Sequence, residues 1–163
     1  MLWLVAALVL ISLLRIAQTL LPFSRRAAHS PYIRYLSLFS TAEMAFLEAL
    51  DRAVGRHYRI FAKTRIADVV DLRPDIDPYE RRRAFNRIGS KHFDFVLCNP
   101  RDFSIAGVVE LNDASHLRQE RAARDAFVID VCNAIGLPIV MVRARHQYST
   151  LELRSVIEQA LYD

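Results

Sequence analysis

The chain has 163 residues and a formal charge of +4, with a sequence pI near 9.4. That length suggests one domain of ordinary size, and the basic balance permits nucleic-acid or anionic-lipid contact without demanding it. The two cysteines, Cys98 and Cys132, lie singly inside apolar patterns and form no CxxC pair, so they read as buried reduced thiols and exclude a zinc site of the usual cysteine spacing.

Hydrophobic residues make up 53% of the chain and the mean hydropathy is +0.13, both high for a soluble domain. The excess sits at the start. Residues 1–23, "MLWLVAALVLISLLRIAQTLLPF", are apolar apart from Arg15, Gln18 and a few hydroxyls. About 20 apolar residues cross a bilayer core, and an arginine near the end of such a span can snorkel. No basic n-region precedes it, which argues against a cleaved signal peptide. The segment is therefore expected to be an uncleaved transmembrane anchor. Arg25, Arg26 and Arg34 follow it, so the positive-inside rule predicts a single-pass protein of the inner membrane with its C-terminal domain in the cytoplasm. Residues 24–40 read as a linker, and residues 41–163 as the folded domain.

Ser40 or Thr41 can cap a helix with Glu43 in its first turn. The stretch "TAEMAFLEALDRAVG" then places Met44, Leu47, Leu50 and Val54 at helical spacing. "HYRIFAKTRIADVVDL" alternates and is rich in β-branched and aromatic residues, which predicts a strand followed by a short irregular piece. "RPDIDP" is a loop. "PYERRRAFNRIG" is a short helix with Pro78 at its start and Gly89 at its end. Its Arg81, Arg82, Arg83 and Arg87 fit either a solvated face or phosphate contact. "HFDFVLC" and "IAGVVELN", joined by "NPRD", predict an antiparallel hairpin. A long amphipathic helix closed by Gly136, a buried strand "PIVMVRA" and a last helix opening at Ser149 complete the chain. A helix between the hairpin and the last strand suggests a crossover, and so an α/β fold with a mixed sheet flanked by helices.

Two acids stand inside apolar runs where an ionised carboxylate is costly. Alternation puts Asp94 on one face of its strand and Glu110 on the same face of the next. Two adjacent carboxylates repel, and each raises the other's pKa. A divalent metal removes that cost and suits hard oxygen donors. The alternative is that Arg121 or Arg124 neutralises the acids as buried ion pairs. Glu43 is a further carboxylate, otherwise explained as a helix-start charge. His116 reads as a cap, a packed side chain or a site residue. Arg121 and Asp125, one turn apart, otherwise read as an i,i+4 ion pair with Arg124 beside them. No phosphate-binding glycine loop or nucleophile elbow is present.

The residues "KHFDF" from Lys91, "ELNDASH" from Glu110 to His116, and Arg124-Asp125 resemble the pattern of domain-of-unknown-function family 2726, from about Thr41 to the C-terminus. That family resembles in turn the PD-(D/E)XK and very-short-patch-repair endonucleases. The resemblance implies a restriction-endonuclease-like core, Mg²⁺ as cofactor on Glu43, Asp94 and Glu110, and nucleic acid as partner. His116 or Arg121 would then stabilise charge on the phosphorus. Asn112 stands where those nucleases carry a lysine, and asparagine is neither base nor cation. Lys91 is the nearest substitute in sequence, although a regular strand would point it to the other face. Weak or absent cleavage is therefore expected even where metal binds. The other readings are a non-catalytic module binding nucleic acid or protein, and a purely structural domain whose Arg124, Asp125 and acids form a hydrogen-bonded network.

Overall fold

A computed structural model describes residues 2–20, 30–112 and 118–162. It divides into two units, residues 1–38 and 39–163. In the first, helix α1 covers Leu2–Leu20, 19 residues long. No helix among the described residues is long and apolar enough to cross a membrane. This overturns the expected transmembrane anchor, and with it the single-pass inner-membrane placement. The physical reason lies in Arg15 and Gln18: the stretch before them, with Ser12 inside it, runs about 13 residues, or roughly 20 Å of helix against a hydrocarbon core of about 30 Å.

In the second unit the chain order is α2 (Thr41–Val54), β1 (Arg59–Arg65), α3 (Ile66–Val69), α4 (Pro78–Ile88), β2 (His92–Cys98), β3 (Ile105–Asn112), α5 (Arg118–Ala134), β4 (Ile139–Arg143) and α6 (Thr150–Tyr162). The strands form one sheet in the order β1-β2-β3-β4. β1, β2 and β3 pair antiparallel, and β4 joins parallel to β3. The sheet is thus mixed, and its parallel pair is bridged by α5 because a parallel connection needs a crossover.

Helices cover both faces. On one, Phe46, Ala49, Leu50, Ala53 and Val54 of α2 and Leu153 and Ile157 of α6 pack with Phe95, Leu97, Val109 and Val140. On the other, Ile66, Ile88, Val128 and Cys132 pack with Phe93, Val96, Cys98 and Val108. The stretch after β1 makes one helical turn rather than an irregular piece. Ile66 and Val70 are both buried, and the Val70 N–H donates to the Ile66 carbonyl at 2.8 Å, which closes the turn. Gly107 lies against Leu161 of α6 and Pro138 just before β4. A Cβ there would stand 2.5 Å from a Leu161 methyl and 3.0 Å from the Pro138 carbonyl.

Local chemistry sets the helix ends. Ser40 and Glu43 form a reciprocal capping box at the start of α2. Gly136 ends α5 with φ of 65°, where glycine carries no steric cost. At α4, Asp77 accepts from the Tyr79 N–H at 2.7 Å and the Glu80 N–H at 3.3 Å. This helix buries only Ile88, so its cap contributes a large share of its stability. Asp77→Ala should cost about 1 kcal/mol in urea denaturation. A loss within the error of the measurement would show that α4 is held by packing instead.

Candidate functional site

The site begins where the β2–β3 ladder stops. Its regular pairing includes Val96↔Val108 and Phe95↔Val109, so the next step places Asp94 opposite Glu110. There side chains bridge the strands. The Asp94 N–H donates to Glu110 Oε1 at 3.1 Å, and the Leu111 N–H donates to Asp94 Oδ2 at 2.9 Å. Each acid thereby satisfies a main-chain donor of the opposite strand. The alternation of β2 also breaks here: Phe93 packs in one core cluster and Phe95, two residues on, in the other.

Glu110 is only 5% exposed and is the one buried charged residue among the described residues. Burial above all, and then the charge of Asp94, push its carboxyl up to about 8. The Asp94 N–H and Arg124 oppose that rise, and Asp125 adds to it. On the α5 side, burial and the nearby Glu110 raise the Cys132 thiol to about 11. Among the described residues no salt bridge reaches Glu110. Arg124 instead donates to the His92 carbonyl at 3.4 Å.

Ser40, Glu43, Asp94, Glu110, Asn112, Arg124 and Asp125 line one cleft of about 330 Å³. Apart from the capping Ser40, the structure thus brings together six of the residues weighed as site or polar-network candidates in the sequence. It does not gather the expected three-acid ligand set, because no group of three or more His, Cys, Asp or Glu among the described residues could hold a metal ion. Glu43 is committed elsewhere. Its Oε1 accepts from Lys63 Nζ at 2.6 Å, and its Oε2 from the Ser40 N–H at 2.7 Å. Burial raises the Glu43 carboxyl, but these partners more than offset it and hold it below its ordinary value. Asp94 and Glu110 remain as a pair of hard oxygen donors.

The other candidates lie apart. Lys91 donates to the Arg87 carbonyl at 2.6 Å and stands 5.2 Å from the Phe127 ring centre, and it is not among the residues that line the cleft. His116 lies outside the described residues, and the side chain of Arg121 is outside them as well. The α4 arginines are partly engaged within the fold. Arg81 donates to the Leu72 and Arg73 carbonyls, Arg83 lies over Tyr79 and Arg87 over Phe127. Arg82 lines a separate hollow with Arg81 and Phe85.

Sequence reasoning missed Lys63. The pairs Ala62↔Phe95 and Thr64↔Phe93 flank it, which sets it opposite Asp94. Lys63, Asp94 and Glu110 therefore form one row across three strands. Its φ is 50°, in the left-handed region that a lysine rarely adopts, and no sequence pattern announces that.

Comparison with known proteins adds a family and nothing finer. No curated protein and no solved structure matches the chain, so the endonuclease likeness has no structural relative behind it. The profile of the family described as "Protein of unknown function (DUF2726)" matches residues 35–161. The chain belongs to that family.

Proposed function

We propose that this family member holds a divalent cation between Asp94 and Glu110 and acts there on the phosphodiester backbone of nucleic acid. One observation carries the reading: a buried carboxylate faces a second carboxylate in an open cleft, with no salt bridge to it among the described residues. Asp94 and Glu110 supply hard oxygen ligands of the kind Mg²⁺ and Mn²⁺ take. A bound ion would neutralise the pair and polarise a phosphoryl oxygen. Arg124 and Asn112, on the rim of the same cleft, offer donors to a phosphate or sugar oxygen. Asn112 stands where the nucleases that this family resembles carry a lysine, and it supplies neither base nor cation, so slow turnover is expected.

The test is thermal. A ligand that binds only the folded state stabilises it by mass action. With Mg²⁺ or Mn²⁺ at about 100 times Kd the gain is about 2.7 kcal/mol, a shift of several degrees in melting temperature. Glu110→Gln should abolish that shift, because it removes the charge and keeps the shape. Metal-dependent cleavage of DNA or RNA lost on Asp94→Asn would supply the activity itself. A melting temperature indifferent to both metals would sink the cation site.

One observation favours a structural reading. Both acids bond main-chain N–H groups across the strands, and no buried side-chain polar atom among the described residues lacks a partner. On that reading the network pins the strand ends, and metal changes nothing.

A further inference from the structure

We propose that Lys63 is the cation that receives a phosphate group of the ligand in this cleft, and that Glu43 is its counter-ion until that ligand binds. This rests on the reading of the cleft as a phosphodiester site and names the group that makes entry of an anion possible.

The charge inventory requires such a group. Glu43, Asp94, Glu110 and Asp125 line the cleft with Arg124 as the one lining cation among the described residues, and Arg124 is turned to the His92 carbonyl. A phosphodiester approaching that surface meets net negative charge even with one divalent ion in place. The Lys63 ammonium stands 2.6 Å from a carboxylate oxygen of the cleft wall. Its strand position is opposite Asp94 in the register of β1 and β2, within the same row as Glu110.

Two features make the pair openable. Glu43 does not need Lys63 to remain satisfied, because its second oxygen keeps the Ser40 N–H at 2.7 Å. The lysine carries four rotatable methylenes, and the Phe39 ring centre, 5.8 Å from Nζ, offers it a second favourable neighbour. The left-handed backbone at Lys63, with φ of 50°, is a local cost of the kind that persists where the surroundings over-determine it. A phosphate oxygen reaching Nζ would replace one anionic partner with another, so the ammonium stays paired throughout.

The two partners should respond in opposite directions. The measurement is fluorescence anisotropy of a short labelled duplex oligonucleotide with the full chain in Ca²⁺, across a salt series, with circular dichroism confirming the fold. Lys63→Met should weaken binding about tenfold and make the salt dependence shallower by about one phosphate contact. Lys63→Gly, which adopts the left-handed backbone freely, should show the same loss and guards against misfolding of the first variant. Glu43→Gln should tighten binding by releasing the ammonium. If the unaltered chain binds while both Lys63 variants bind equally well, or if Glu43→Gln weakens binding as loss of a metal ligand would, the assignment of Lys63 is overturned and the cation site of Asp94 and Glu110 stands. If the unaltered chain binds no oligonucleotide, the phosphodiester reading falls and takes this assignment with it.

Discussion

At pH 9 in chelator, Glu110→Gln should be several kcal/mol more stable than the unaltered protein. Burial, with Asp94 beside it, raises the Glu110 carboxyl from 4.5 to about 8 in the folded chain. Between those values the unfolded chain has released the proton and the folded chain still holds it. The folded state then binds more protons, so stability falls as pH rises from about 4.5 and levels off above about 8. At about 1.4 kcal/mol per pH unit, the gap is worth roughly 4–5 kcal/mol when Glu110 is fully ionised. Glutamine removes that penalty. Its amide oxygen can still accept from the Asp94 N–H, and its NH₂ can donate to Asp94 rather than repel it.

Urea denaturation of both proteins at several pH values between 4 and 9.5 reads the difference directly, since other titrating groups are common to both. The advantage of glutamine should be near zero at pH 4.5, grow through neutrality and reach its limit above pH 8. Saturating Mg²⁺ should shrink it by stabilising only the unaltered chain. A glutamine variant less stable than the parent at pH 9 would mean that an arginine neutralises Glu110 and is left unpaired by the change, at a cost of about 3–5 kcal/mol. That result would remove the reason for a metal.

The row of Asp94 and Glu110 was legible because two rules suffice for it: alternation within each strand, and a short turn that fixes the register between them. The capping box at Ser40 and Glu43 and the stop at Gly136 were legible for a similar reason, since both depend on residues a few positions apart. Lys63 was not. Its role comes from a backbone angle that favours glycine and from a partner twenty residues away on another element. Glu43 carried a readable helix-start signal, but nothing local shows that a lysine on β1 takes the oxygen that the Ser40 N–H leaves free. The α4 arginines looked like a free basic face because the carbonyls of Leu72 and Arg73 and the ring of Phe127 reach them only in three dimensions. At the N-terminus a count of apolar residues outweighed their continuity, which Ser12, Arg15 and Gln18 break.

The face that α2 turns to the core supplies the second large effect. Helical spacing alone suggests a stripe of Met44, Leu47, Leu50 and Val54. In the folded chain Met44 is 42% exposed, whereas Phe46 is fully buried. Its ring centre is 5.3 Å from that of Phe95 on β2 and 5.1 Å from that of Tyr148 in the segment before α6. Phe46 thus ties the first turns of the helix, including Glu43, to the sheet and to the segment that leads into the last helix. Phe46→Ala should cost roughly 3–5 kcal/mol, combining lost transfer energy with the cavity left between two other rings. For a unit of this size that lowers the melting temperature by roughly 10–20 °C. Met44→Ala, on the same helix and two residues away, should stay within about 0.5 kcal/mol. Denaturant midpoints with unchanged slopes measure both. Comparable losses at the two positions would mean that α2 is rotated about its axis, so that Glu43 no longer faces Lys63 and the cleft loses its wall.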